Sequence, residues 1–224
     1  MDKELALEKS RKQGISVVQI VREEYEMVLL QNIFNSFMGQ KLIFRGGTAL
    51  RLAYGSPRFS DDLDFTQLRT IDLKKFQKWC QETEKDNAYL KLAEAVKKKY
   101  TLFAIFKVTD PVLSQTISIK LEISVRKQNW KKEKDYQLIG LKSQVTPLTV
   151  LAQVASLSWI KKEKLSIDPI RIRDIFDLWF IAQKLNKNYQ VNFGQFKPRE
   201  VKRELNRLLP LNSRRLIESW LIKK

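Results

Sequence analysis

LIFRGGTALRLAYGSPRFSDDLDF, residues 42–65 of a chain of 224, joins a short apolar run to a glycine pair and closes on alternating carboxylates. Residues 42–44 read as a strand that runs into Gly46 and Gly47. Glycine leaves backbone N–H groups bare, so an anion such as phosphate can approach closely there. Residues 48–54 read as a short helix whose N-terminus faces that turn. Thr48 offers a hydroxyl and an N-cap, and the unpaired N–H groups of a first turn favour the same anion. Gly55, Ser56 and Pro57 make a turn, after which residues 59–65 return as a strand. Side chains alternate along a strand, so Asp62 and Asp64 share one face and Asp61 takes the other. Two carboxylates on one face suit Mg²⁺ (or Mn²⁺), a hard cation that takes oxygen ligands and shares them with substrate phosphates. A phosphate cradle beside metal carboxylates is the equipment of phosphoryl or nucleotidyl transfer, with a nucleoside triphosphate at Gly46, Gly47 and Thr48. Arg58 is placed either to neutralise phosphate or to pair with a carboxylate.

Composition narrows the alternatives. The chain is 43% hydrophobic and 10% aromatic, enough to bury a core. One cysteine, Cys80, excludes an intramolecular disulfide and fits a reducing, cytoplasmic setting. The first residues are mostly charged and carry no signal-peptide pattern. The longest uncharged run, residues 143–160, is too polar to span a bilayer, so no membrane partner is expected. Histidine is absent, which removes histidine bases, catalytic triads and His-ligated zinc together. Neither a Walker-type nor a Rossmann glycine pattern occurs. Carboxylates and basic residues must therefore carry any chemistry. The net charge of +17 is uneven: residues 140–224 hold 17 basic and 7 acidic residues, net +10. A basic C-terminal third suggests a polyanion such as RNA, or an acidic protein.

Residues 16–37 carry Val17, Val21, Tyr25, Val28 and Ile33 at helical spacing. Residues 73–80 and 88–96 read as helices and residues 102–108 as a strand. Residues 117–123 alternate isoleucine or leucine with polar residues, a half-buried strand that sets Lys120 and Glu122 on one face. Residues 127–135 are a charged loop. Thr146-Pro147 reads as a helix start, as does Asp168-Pro169 before a helix at 170–185. Two more helices follow at 198–209 and 213–222. Strands dominate before residue 146 and helices after it, the pattern of an α+β protein. We expect residues 1–140 to form an α+β domain and residues 141–224 a basic helical one.

The quoted stretch resembles the AbiEii/AbiGii toxin family of nucleotidyltransferases, within the DNA polymerase beta-like superfamily. The matching residues are Gly46 to Leu50, Tyr54 and Arg58 to Phe65, with Leu121 to Ser124 and Arg173 to Leu178 further on. The resemblance implies a nucleotidyltransferase-like mixed sheet flanked by helices. It implies transfer of NMP from an NTP to an acceptor, RNA such as tRNA, by the toxin of a bacterial toxin–antitoxin pair, with a cognate antitoxin as partner. It makes Glu122 a third carboxylate near the metals and Asp174 an active-site residue. Arg173 and Asp177 stand at i, i+4 and can pair with each other. Family members carry a lysine in the helix before the Arg-Asp-x-x-Asp-Leu segment. Here that position falls near Gln153 and Val154, and no basic residue lies between Lys142 and Lys161. Lys120, on the face of Glu122, is the expected substitute, ahead of Lys161 and Lys162. The alternative is a catalytically impaired scaffold that binds RNA or a protein partner.

Overall fold

The computed structural model describes residues 1–222. Two N-terminal helices, α1 (Lys3–Gln13) and α2 (Val17–Phe34), precede the first strand, β1 (Leu42–Arg45). Next come α3 (Gly46–Tyr54), β2 (Asp62–Gln67) and α4 (Leu73–Lys85). Three strands follow, β3 (Leu90–Lys98), β4 (Thr101–Val108) and β5 (Ile117–Ser124), then β6 (Tyr136–Lys142) and β7 (Thr149–Ala155). The chain ends in α5 (Leu157–Leu165), α6 (Ile172–Lys184), α7 (Pro198–Leu208) and α8 (Arg215–Ile222). The expected α+β architecture is thus present, as a mixed seven-stranded sheet in the order β3-β4-β5-β2-β1-β7-β6.

Periodicity explains most of these elements. On β5 the odd positions Ile117, Ile119, Leu121 and Ile123 are buried, and Ser118 and Lys120 are exposed. α2 is buried nearly all round, because it lies across the sheet with Val21, Tyr25, Leu29 and Ile33 in the core. Phe76, Trp79 and Cys80 of α4 pack into the same cluster. The other face of β1 and β7 is covered by the C-terminal helices, where Ile43 and Ala155 meet Ile160, Ile175, Phe176 and Leu205. The carboxylates of β2 therefore lie where a helical layer ends against an open sheet.

Two expectations are corrected. Residues 88–96 are not a helix but edge strand β3. Leu, Ala, Glu and Lys dominate it and are good helix formers, yet pairing with β4 overrides the propensity. The segment after Thr146-Pro147 is not one helix: residues 149–155 form β7, parallel to β1, and the helix begins only at Leu157 behind its Ser156 cap. The helix expected from 170 starts at Ile172. Residue 140 lies within β6, and β7 belongs to the same sheet as the strands before it.

Candidate active site

β1 ends at the glycine pair, and α3 starts there. Gly46 adopts φ +81°, a left-handed conformation costly for any residue with a Cβ, and a Cβ there would meet the Asp64 carboxylate. Gly47 lies against the Arg58 guanidinium and Ser60, whose Oγ would be 2.7 Å from an added Cβ. The two glycines thus let a helix N-terminus, a carboxylate and a guanidinium converge. Thr48 is 1% exposed and donates its hydroxyl to the Asp62 carbonyl at 2.6 Å, pinning α3 to β2. Its hydroxyl is thus engaged in structure, and the N-cap position belongs to Arg45.

The carboxylates come together through strand register. β2 and β5 run parallel with Asp62 opposite Lys120 and Asp64 opposite Glu122. All four side chains line one cleft of about 590 Å³, together with Gly46, Gly47 and Arg58. Asp61 stands outside it, tied to Arg22 and, at 2.7 Å, to Arg207, as strand alternation requires. Burial pushes the Asp62 pKa up; Lys120 opposes this and Asp64 adds to it. Burial also raises the Glu122 pKa, with the Asp64 and Asp62 charges adding to it. Carboxylates crowded enough to disfavour one another's ionisation are relieved by a cation.

Among the described residues no group of three or more His, Cys, Asp or Glu is arranged to hold a metal on its own. Mg²⁺ does not require one: it is commonly held by one or two carboxylates plus waters and substrate phosphates. Asp62 and Asp64 fit that demand, and Glu122 stands one strand away.

The opposite wall comes from the helical layer. Asp177 is fully buried and receives Arg58 in a two-pronged contact, Nε to Oδ1 and the second guanidinium nitrogen to Oδ2, each 2.8 Å. Of the two readings of Arg58, carboxylate pairing is therefore the observed one, although its guanidinium also lines the cleft. Lys164 of α5 reaches both Asp174 and Asp177 at 2.7 Å. Arg171 adds a second clasp on Asp174, at 2.6 Å. Burial opposes the ionisation of both aspartates, but Arg171 and Lys164 outweigh it for Asp174, as Arg58 and Lys164 do for Asp177, and both pKa values lie below the ordinary carboxylate range. Asp174 is 0% exposed and sits behind these cations, with Lys164 and Arg171 rather than Asp174 lining the cleft. Arg173 also lines the cleft, and no ion pair joins it to Asp177 among the described residues.

Lys164 is a cleft residue that sequence reasoning missed. A signal was available, since Lys164 lies one turn after Ile160 and two after Leu157, on the inward face of α5. Lys161 and Lys162 lie off that face. Val154, near the position where the family lysine falls, is buried in the core on β7, and Gln153 donates to the Leu42 carbonyl at 3.1 Å. Glu163 was missed as well; it pairs with Arg45 on the cleft rim.

A glycine turn at a helix N-terminus, a strand with two alternating carboxylates and a third carboxylate on the parallel neighbour define a nucleotidyltransferase fold. The chain belongs to the AbiEii family: the family model described as nucleotidyl transferase AbiEii toxin, type IV TA system, matches residues 28–215. Solved structures share the fold at low identity. MenT4, a nucleotidyltransferase toxin from Mycobacterium tuberculosis H37Rv, is 12% identical with a TM-score of 0.59, covering 97% of this chain and 87% of its own. A candidate nucleotidyltransferase from Helicobacter pylori is 19% identical with a TM-score of 0.57, covering 91% and 92%. JHP933, also from Helicobacter pylori, is 21% identical with a TM-score of 0.55, covering 85% and 74%. A comparison with curated proteins finds no match. Among the described residues no helix is long and apolar enough to cross a membrane.

Proposed function

We propose that this chain transfers a nucleoside monophosphate from an NTP to a hydroxyl of an RNA acceptor such as tRNA, acting in the cytoplasm as the toxin partner of a cognate antitoxin. The observation that carries this reading is the shared register of Asp62, Asp64, Lys120 and Glu122 in one cleft with the Gly46-Gly47 turn. The triphosphate lies against the glycine turn and the N-terminus of α3, where backbone N–H groups face an anion. Asp62 and Asp64, with Glu122 beside them, would hold Mg²⁺ or Mn²⁺, which when bound would neutralise phosphate charge.

This chain's own residues do the rest. The acceptor oxygen forms a bond to the α-phosphorus as the bond to the β-phosphate oxygen breaks, and pyrophosphate leaves. Glu122, opposite Asp64 across the parallel ladder and lining the same cleft, takes the acceptor proton. Lys120, exposed opposite Asp62, supplies positive charge to the phosphates. On the far wall three cations, Arg58, Lys164 and Arg171, share two aspartates, so one positive charge is left over to face the triphosphate. Lys164 and Asp174 are positioning residues in this scheme, because they shape that wall through one another.

Incubation with each α-labelled NTP, Mg²⁺ and total RNA tests the reading. Label retained on RNA supports it. Label from a γ-labelled NTP on protein would replace it with phosphotransfer, and no label despite bound NTP would leave a binding scaffold.

A further inference from the structure

The carboxylate row does not stop at the cleft. Cross-strand pairing continues it from Arg45 and Asp64 through Glu122 to Phe103 of β4 and Val96 of β3. Phe103 therefore lies on the same face as Asp64, two strands away, or about 10 Å at ordinary strand spacing. No helix covers this part of the sheet among the described residues. The opposite face of β3 carries α4, whereas here Val96, Thr101 and Ile105 are only half-buried and Lys98 and Lys107 are exposed. Phe103 belongs to neither main core cluster. It is buried by its own neighbour, with the Lys98 ammonium 3.3 Å from the ring centroid.

The hairpin that joins β3 to β4 ends in Lys97, Lys98, Lys99 and Tyr100, all exposed. Tyr100 is 45% exposed. Arg126 lies 4.8 Å and Lys99 5.2 Å from its ring centroid. Arg126 also lines the catalytic cleft, so the aromatic tip and the carboxylates border one continuous surface. The basic helix α7 presents exposed Lys202 and Arg203, but no exposed aromatic accompanies them among the described residues.

An exposed ring set among cations, opening onto a phosphoryl-transfer cleft, matches one chemistry. Cations neutralise a phosphate backbone while an aromatic face stacks on a base. Stacking needs an unpaired base, because a duplex hides its base faces. We propose that the β3–β4 hairpin is the acceptor platform: an unpaired RNA end lies across the open face of β3 and β4, a base stacks on Tyr100, and Lys98, Lys99 and Arg126 meet its phosphates. This rests on the nucleotidyl-transfer reading of the cleft and specifies the acceptor as single-stranded at its reacting end.

Fluorescence anisotropy with a labelled single-stranded RNA 12-mer, and with the same strand in a duplex, tests the platform. Isothermal titration with NTP and Mg²⁺ runs in parallel on the same proteins. We expect tighter binding of the single strand, a loss of about tenfold for Tyr100→Ala and near-retention for Tyr100→Phe, since the ring face rather than the hydroxyl stacks on the base. Lys98→Ser with Lys99→Ser should lower the slope of log affinity against log salt by about 1.4, at about 0.7 per phosphate contact. NTP binding should be unchanged in these variants. Wild-type RNA affinity in Tyr100→Ala, preference for the duplex, or binding of poly-glutamate in place of RNA overturns the platform. Tyr100-dependent RNA binding in a protein that binds no NTP supports the platform and overturns the transfer reading instead.

Discussion

Asp64 and Glu122 stand opposite each other on neighbouring parallel strands, and burial together with the Asp64 charge disfavours the ionised form of Glu122. A divalent cation bound between them would offset that cost. Asp62→Ala and Asp64→Ala should each lower nucleotide transfer by at least about 100-fold with little change in melting temperature. Asp61→Ala should leave transfer largely intact, because Asp61 faces Arg22 and Arg207 on the other side. Equal losses from all three, read in the α-label assay, would refute the shared-face argument.

Lys120 is exposed and pairs across the ladder with Asp62. Lys120→Ala should reduce transfer by about 10²–10³-fold, the usual penalty for losing one electrostatic contact to a reacting phosphate, without lowering the melting temperature. Full activity in that variant would assign the phosphate charge to the opposite wall alone.

Lys164 is 6% exposed and serves two aspartates at once. Lys164→Met should destabilise the protein by about 3–5 kcal/mol, since it strands buried carboxylates. It should also weaken NTP affinity, and Lys164→Arg should recover part of both. Thermal melting together with calorimetric NTP titration separates these effects; wild-type NTP affinity in a folded Lys164→Met protein would remove Lys164 from the phosphate wall.

Gly47→Ala drives a methyl group against the Arg58 guanidinium and Ser60. The cost should be about 1–3 kcal/mol of stability, as for other overpacked sites, and the displaced guanidinium should also weaken NTP binding. Unaltered melting and affinity would mean that the turn relaxes without disturbing Arg58.

Glu26 of α2 is 2% exposed, and its Oε1 has no hydrogen-bond partner among the described residues. Burial drives its pKa well above 4.5; Arg22 opposes this, while Glu23, Asp61 and Asp62 add to it. A carboxyl whose folded pKa is raised contributes stability that is fully present below its unfolded value and is lost as pH rises through the folded one. The melting temperature of Glu26→Gln relative to wild type should therefore climb with pH above 4.5. A difference that stays flat across that range contradicts the raised pKa of Glu26.

How much of this was legible in the sequence varied with the physics behind each element. The period-two pattern of residues 117–123 located β5, and through it Lys120 and Glu122, because one face of that strand is buried and the other is not. The glycine pair and Asp62-x-Asp64 were legible for the same local reason. β3 was not, because an edge strand rich in Lys, Glu and Ala takes its conformation from β4. β7 was hidden by the Thr146-Pro147 signal, which mimics a helix cap while the following residues pair with β1 and β6. The pairing of Arg58 with Asp177 spans 119 residues and leaves no periodic trace, so a phosphate ligand and a structural clasp looked alike.

That clasp makes the cleft a two-piece assembly. One jaw is sheet and glycine turn; the other is α5 and α6; Arg58 and Asp177 are the latch between them. Asp62, Asp64 and Glu122 sit wholly on the first jaw, and Lys164 and Arg171 on the second. A chain shortened before α5 would keep Asp62 and Asp64 yet leave Arg58 without its buried counter-charge. Prying the jaws apart would switch the site off with every carboxylate still in place.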